Sequence, residues 1–270
     1  VLSVEERVVF SGDPLPAELG ETFVAGVLGG MGPASSAEFC RRLVRATSAQ
    51  RDQDHMKVVM WSDPCIPDRS AHLTGVGPSP VPALLDGLRK LSVLGASVVT
   101  IVCNTAHAYL PTLRQHATLP ILDMVGSTAR RCYDIYGPGA RIGLLGTTGT
   151  LTSGVYDEAL ENLGLTAVHP LGSAQENVMT AITLVKSGDS SGRARDLLSN
   201  EASNLAARNV TAVIFACTEV GVAFGDQLPP VDALDPMDVT AQVLIGMRSC
   251  YRAGSPVLTN RRADFERMEG

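Results

Sequence analysis

Two cysteines stand in matched surroundings. Cys103 follows the apolar run VVTIV and precedes Asn104, Thr105, Ala106 and His107, while Cys217 follows AVIFA and precedes Thr218 and Glu219. Each thiol is expected at a strand end beside a helix start, where backbone N–H groups and the positive end of the helix dipole favour thiolate. Inverting a carbon stereocentre by proton exchange needs a base on one face and an acid on the other. Two thiols, one ionised and one protonated, do this reversibly, their roles swapping with direction. A carbon-bound proton next to a carboxylate is a very weak acid, so the site must also stabilise the developing charge. Asn104, Thr105, Thr218 and the adjoining N–H groups are the candidate donors.

The elements that would position the thiols form a repeat. From Phe23 onward, short apolar β-branched runs alternate with helix-patterned segments, the mark of βαβ units around a parallel sheet. The runs are FVAGVLGG, MKVVMWS, SVVTIVC and LPILDMV, then RIGLLGT, LTAVHPL and VTAVIFACT. GVLGG at 26–30 corresponds to GLLGT at 143–147, and SVVTIVCNT to TAVIFACTE. The expected fold is therefore α/β: two similar, pseudo-twofold related, three-layer domains with parallel sheets and an active-site cleft between them, both cysteines facing it. The expected bounds are an N-terminal extension over 1–23, a first domain over 24–119 plus 231–254, a second over 120–230 and a tail over 255–270. Pro120 and the Pro229-Pro230 pair mark the crossovers, and LDPMDVTAQVLIGMRSCYRA is a helix returning to the first domain.

Composition removes other classes of function. The 270 residues carry a formal net charge of −6, which argues against a phosphate-backbone partner, and 4% aromatic content leaves little for base stacking. No apolar run approaches the roughly 20 residues that cross a bilayer, and the first residues lack the pattern of a signal peptide. A cytoplasmic protein with a small-molecule substrate is expected. The six cysteines include no CxxC pair, so reduced thiols are expected. His55, His72, His116 and His169 have no metal-ligand spacing, and neither metal nor cofactor is expected. GGMGPAS lacks the GxGxxG spacing of a dinucleotide site. Its glycines instead leave a strand end open for backbone N–H groups to approach a substrate carboxylate. Met31 and Gly32 in that turn, Thr147 and Thr148 in the second, and Glu219 beside Cys217 join the expected substrate-binding set.

The sequence resembles the aspartate/glutamate racemases, most closely the archaeal-type aspartate racemase branch. The resemblance lies in GVLGGMGPAS at 26–35, IPDR at 66–69, CNTAH at 103–107, TTGTLTSGVY at 147–156, ACTEV at 216–220 and DPMDV at 235–239, in the expected order. It implies a homodimeric amino-acid racemase that needs neither pyridoxal phosphate nor metal and interconverts L- and D-aspartate or glutamate, with Cys103 and Cys217 as the catalytic pair. It also implies that Arg69, the arginine of IPDR, and Lys186, in LVKSGD, hold the side-chain carboxylate of a dicarboxylic amino acid. The extension over 1–23 and the polar tail depart from the simplest family members. The alternatives are another cysteine-dependent isomerase, epimerase or decarboxylase of the same fold, of the maleate isomerase or hydantoin racemase type, and a hydrolase with Cys103 as nucleophile and His107 as base.

Overall fold

The computed structural model describes residues 22–189 and 191–252. The first half runs β1 (Val24–Gly29), α1 (Pro33–Ala46), β2 (Lys57–Ser62), α2 (Arg69–Leu73), α3 (Val81–Val93), β3 (Val98–Ile101), α4 (Leu110–His116), β4 (Ile121–Leu122) and α5 (Met124–Tyr136). The second runs β5 (Arg141–Leu144), α6 (Thr148–Ser153), α7 (Val155–Glu161), β6 (Thr166–Val168), α8 (Ser173–Lys186), α9 (Arg193–Ala206), β7 (Ala212–Ile214), α10 (Thr218–Phe224), β8 (Ala233–Leu234) and α11 (Pro236–Arg252). Among the described residues these strands form two four-stranded parallel sheets of matching order, β2-β1-β3-β4 and β6-β5-β7-β8. The two-sheet α/β architecture is the one the apolar runs predict, and β3 and β7, which lead to the two cysteines, occupy equivalent places.

Alternation along the strands explains the layers. In β1, Ala25 and Val27 pack with Phe39 and Leu43 of α1 and with Met237, Ala241, Leu244 and Met247 of α11. Leu28, with Val99 and Ile101 of β3, packs instead against Leu84, Leu88 and Leu91 of α3. The second sheet is likewise covered on one side by α8, α9 and α10 and on the other by α5, α7 and part of α11. Burial of both faces is why the central strands read as unbroken apolar runs. Phe23, expected at the end of an extension, is buried in the first core; residues 1–21 of that extension and the tail over 255–270 lie outside the described residues. No helix among the described residues is long and apolar enough to cross a membrane.

Two local readings change. LPILDMV is not a full strand: only Ile121 and Leu122 pair, with β3 of the first sheet, because Asp123 accepts a hydrogen bond from the Gly126 N–H (2.8 Å) and starts α5. Each change of sheet also comes after a short edge strand and not at the expected proline, since β4 follows Pro120 in the first sheet and β8 follows Pro229-Pro230 in the second.

Buried polar contacts lock the halves together. Arg42 of α1 pairs with Asp235 and Glu38 and donates to the Gly221 carbonyl (3.1 Å), tying α1 to α10 and to the head of α11. Gly149 of α6 lies so close to Ser70 of α2 that an added Cβ would stand 2.6 Å from the Ser70 Cα, so only glycine fits this approach.

Candidate active site

Both thiols sit where the chain leaves a central strand. After β3 the Val102 N–H still bonds the Leu28 carbonyl (2.9 Å), and Cys103 follows at the strand mouth. After β7 the Phe215 N–H bonds the Leu234 carbonyl (3.0 Å), and Cys217 becomes the N-cap of α10. The two cysteines, each 5% exposed, line one cavity of about 10 Å³. From the first half, Met31, Arg69, Asn104 and Thr105 contribute to its wall; from the second, Thr147, Lys186, Thr218 and Glu219. The expected set is thus brought together except for Gly32 and Thr148. Gly32 borders an adjoining cavity of about 350 Å³ that shares Met31, Arg69, Lys186 and Glu219. Thr148 starts α6 with its N–H toward the Met179 sulfur (3.3 Å) and does not line the cavity. Some 10 Å³ accommodates a single water, so an amino acid enters only if the walls part.

Sequence reasoning did not single out Asp68 and Ser70, which also line the cavity. Asp68 carried a signal: it caps α2, accepting from the Ala71 N–H (2.8 Å), the role of an acidic residue just ahead of a helix. Ser70 carried none, because its place depends on the approach of Gly149 from the other half.

The cysteines differ in their neighbours. The Cys217 thiol donates to Glu219 Oε2 (2.9 Å), which also accepts from the Thr218 hydroxyl (3.2 Å), while Glu219 Oε1 accepts from the Gly32 N–H (3.2 Å) across the cleft. Burial, and then the Glu219 charge, push the Cys217 thiol well above its usual value, with Lys186 pulling the other way. The helix start ahead of α10 therefore does not make Cys217 a thiolate, contrary to its sequence context: desolvation and a carboxylate in contact outweigh a seven-residue helix. After Cys103 the chain makes a 3-10 turn over Thr105–Tyr109 before α4.

Arg69, 7% exposed, lies beside the Cys103 sulfur. Burial pulls its guanidinium down, but attraction to Cys103 and to Asp68 and Glu219 prevails and it is raised. Of its five N–H donors, the two on Nη1 go to the Ile66 (3.2 Å) and Pro67 (3.0 Å) carbonyls and one on Nη2 to Met31 (3.4 Å). Nε has no partner among the described residues. The guanidinium also interacts with the Cys103 thiol, and its unpartnered Nε–H is the donor left for an incoming carboxylate. The Tyr109 hydroxyl, itself bonded to His72 Nδ1 (2.8 Å), donates to the Arg69 carbonyl (3.2 Å) and steadies the segment. Lys186, the last residue of α8, is exposed at the rim. The hydroxyls of Thr105 and Thr147, which line the cavity, form a triangle with that of Thr150, with sides of 3.0, 2.8 and 2.9 Å, that spans both halves.

His107 is not a base for Cys103. Its Nε2 accepts from the Met124 N–H (3.1 Å), so its Nδ1–H donates to the Cys103 carbonyl (2.9 Å). Burial lowers its pKa and keeps the ring neutral. Both ring nitrogens serve backbone groups, which leaves a Cys103 nucleophile without the partner a hydrolase requires.

The model of the family described as Asp/Glu/hydantoin racemase matches residues 28–244. The broad specificity amino-acid racemase RacX of Bacillus subtilis is 26% identical over 84% of this chain and 99% of its own length. The structure of Picrophilus torridus aspartate racemase superposes with a TM-score of 0.76 at 30% identity, covering 84% of this chain and 94% of that one. Glutamate racemase from Francisella tularensis, at 15% identity and a TM-score of 0.61 over 89% of this chain and 84% of its own, shares the fold.

Proposed function

The chain belongs to the Asp/Glu/hydantoin racemase family, an enzyme of the isomerase class, and from that premise we propose that it racemises a dicarboxylic amino acid, aspartate or glutamate, by proton transfer between Cys103 and Cys217. The observation that carries this reading is the pair of thiols from equivalent strand ends of two like sheets, lining one narrow cavity beside a buried guanidinium whose Nε–H has no partner among the described residues. RacX and the Picrophilus aspartate racemase are named for the same class of reaction.

The roles follow from the neighbours. In one direction Cys217, whose thiol burial and the Glu219 charge hold well above its ordinary range, is the acid, and Cys103 is the base that removes the Cα proton. The electron pair left on Cα spreads into the α-carboxylate, and Cys217 delivers its proton to the opposite face, ending as thiolate with Lys186 as the nearby cation. Cys103 ends as thiol, and the reverse direction exchanges the roles. Donors from Asn104, Thr105 and the Thr218 backbone N–H at the start of α10, its hydroxyl being taken by Glu219, meet the charge on the α-carboxylate, while the Nε edge of Arg69 grips the side-chain carboxylate and Lys186 adds a point charge from the other wall. Closure around the substrate strengthens each of these interactions by excluding water.

The test is incubation of L-aspartate and of L-glutamate in deuterium oxide with no added cofactor, followed by chiral chromatography and mass spectrometry. Deuterium at Cα with decay toward the racemate is the expected result for at least one of the two. Unexchanged, optically pure substrate from folded, reduced enzyme in both cases overturns the reading. The Glu219 contact makes a second expectation. Burial and the Glu219 charge both raise Cys217, so removing the charge lets it ionise at lower pH. Glu219→Gln should therefore move the alkaline limb of kcat/KM to lower pH in the direction that uses Cys217 as the acid. An unmoved limb in the pH–rate profile would mean that Glu219 does not govern this proton.

A further inference from the structure

Asn104 lines the cavity next to Cys103 and is 2% exposed. Its Oδ1 accepts a hydrogen bond from the hydroxyl of Tyr156, which reaches across from α7 of the second half at 2.6 Å. That separation is the length of an O–H···O bond and short for N–H···O, so the amide oxygen, and not its nitrogen, faces the phenol. The other end of the amide, Nδ2, is buried and has no partner among the described residues. Tyr156 is itself fully buried in the apolar core of the second sheet, and burial drives its phenol well above the ordinary range, so it stays a donor. A buried amide nitrogen without a partner is costly unless something arrives to use it. Asn104 shares the cavity wall with both cysteines and with Thr105 and Thr218.

We propose that Tyr156 is a positioning residue: its hydroxyl fixes the Asn104 amide so that both Nδ2–H donors face the substrate's α-carboxylate as charge develops on it. The inference rests on the two-thiol reading. An amide is nearly symmetric in shape, so without the phenol it can turn its oxygen toward the substrate and set a repulsive dipole where an attractive one is needed. The contact also spans the two halves, so the donor reaches its working orientation only when α7 and the Cys103 turn are together. Tyr156 thus couples closure of the cleft to the donor set beside the base.

Tyr156→Phe keeps the ring that fills the core and removes only the hydroxyl. The expected result is a fall in kcat of about 10–100-fold with KM nearly unchanged, the pattern of an interaction made in the transition state. Asn104→Ala should lose at least as much, and the double variant should be no slower than Asn104→Ala alone, because the phenol acts through the amide. Additive losses, or a Tyr156→Phe enzyme of reduced melting temperature and wild-type kcat, overturn the proposal by making Tyr156 a packing residue. The amide orientation has a readout apart from turnover. The side-chain ¹⁵N resonance of Asn104, assigned by its loss in Asn104→Ala, should shift or broaden in Tyr156→Phe, and a resonance that coincides with wild type also overturns it. Absent wild-type exchange defeats the two-thiol reading, whereas the resonance decides the orienting contact on its own. If Tyr156→Phe does not fold, Asn104→Asp replaces it. This variant keeps the acceptor for the phenol and deletes the N–H donors, so a wild-type kcat there is equally fatal.

Discussion

Replacing either Cys103 or Cys217 with serine is expected to lower racemisation by about 10³-fold or more while leaving the fold intact. A serine hydroxyl fills the same space, and at position 217 it can still donate to Glu219. It cannot serve as a base near neutral pH, and general acid–base groups contribute on the order of 10²–10⁴-fold each. The two variants should also differ in kind from a merely damaged enzyme. With one thiol left, a proton can be taken from one face and a solvent deuteron returned to that same face, so one enantiomer exchanges without inverting. Each variant should therefore wash deuterium into only one of the L and D forms, and the two variants should choose opposite forms. Loss of exchange with both enantiomers in both variants, or retained racemisation in either, is incompatible with a thiol on each side of Cα.

Arg69→Ala should lower kcat/KM for the dicarboxylic substrate by on the order of 10²–10³-fold, since truncating one partner of a buried, hydrogen-bonded charge pair costs about 2–5 kcal/mol. Arg69→Lys should recover little of it. An ammonium carries the charge but lacks the planar fork, and it cannot also serve the Ile66, Pro67 and Met31 carbonyls that the guanidinium holds. Lys186→Ala should cost closer to 10-fold, because Lys186 is exposed and solvent screens its charge. Steady-state kinetics on aspartate, glutamate and alanine distinguish the outcomes. Arg69→Ala should narrow the preference for the dicarboxylates, and a kcat/KM within about threefold of wild type would remove Arg69 from substrate binding.

What could be read without tertiary structure was whatever the chain encodes locally or by repetition. Apolar β-branched runs buried on both faces stay apolar on both sides of the pleat, so VAGVLG, VVTI and AVI were legible as strands. Because the runs and glycine turns recur in the same order, the equivalence of the turns after β3 and β7 followed, and with it the pairing of Cys103 with Cys217. The segment LPILDMV has the composition of a strand throughout, and only the hydrogen bond from the Gly126 N–H to Asp123 reveals that a helix begins there.

The tertiary structure decided the rest, because protonation and donor counts depend on groups far apart in the chain. The position of Cys217 before a helix suggested thiolate. The Glu219 side chain, held from across the cleft by the Gly32 N–H, and the depth of burial make it a thiol. Arg69 is legible as a cation, but which of its five donors are engaged depends on three backbone carbonyls and on the Cys103 thiol beside it. His107, four residues from Cys103, is a possible base by its place in the sequence, but the fold commits both its nitrogens to the backbone. Strand periods and repeats are properties of neighbours in sequence and survive in a linear string. The charge on a thiol and the direction an amide faces are set by desolvation and contact across the two halves, and these exist only once the chain has folded.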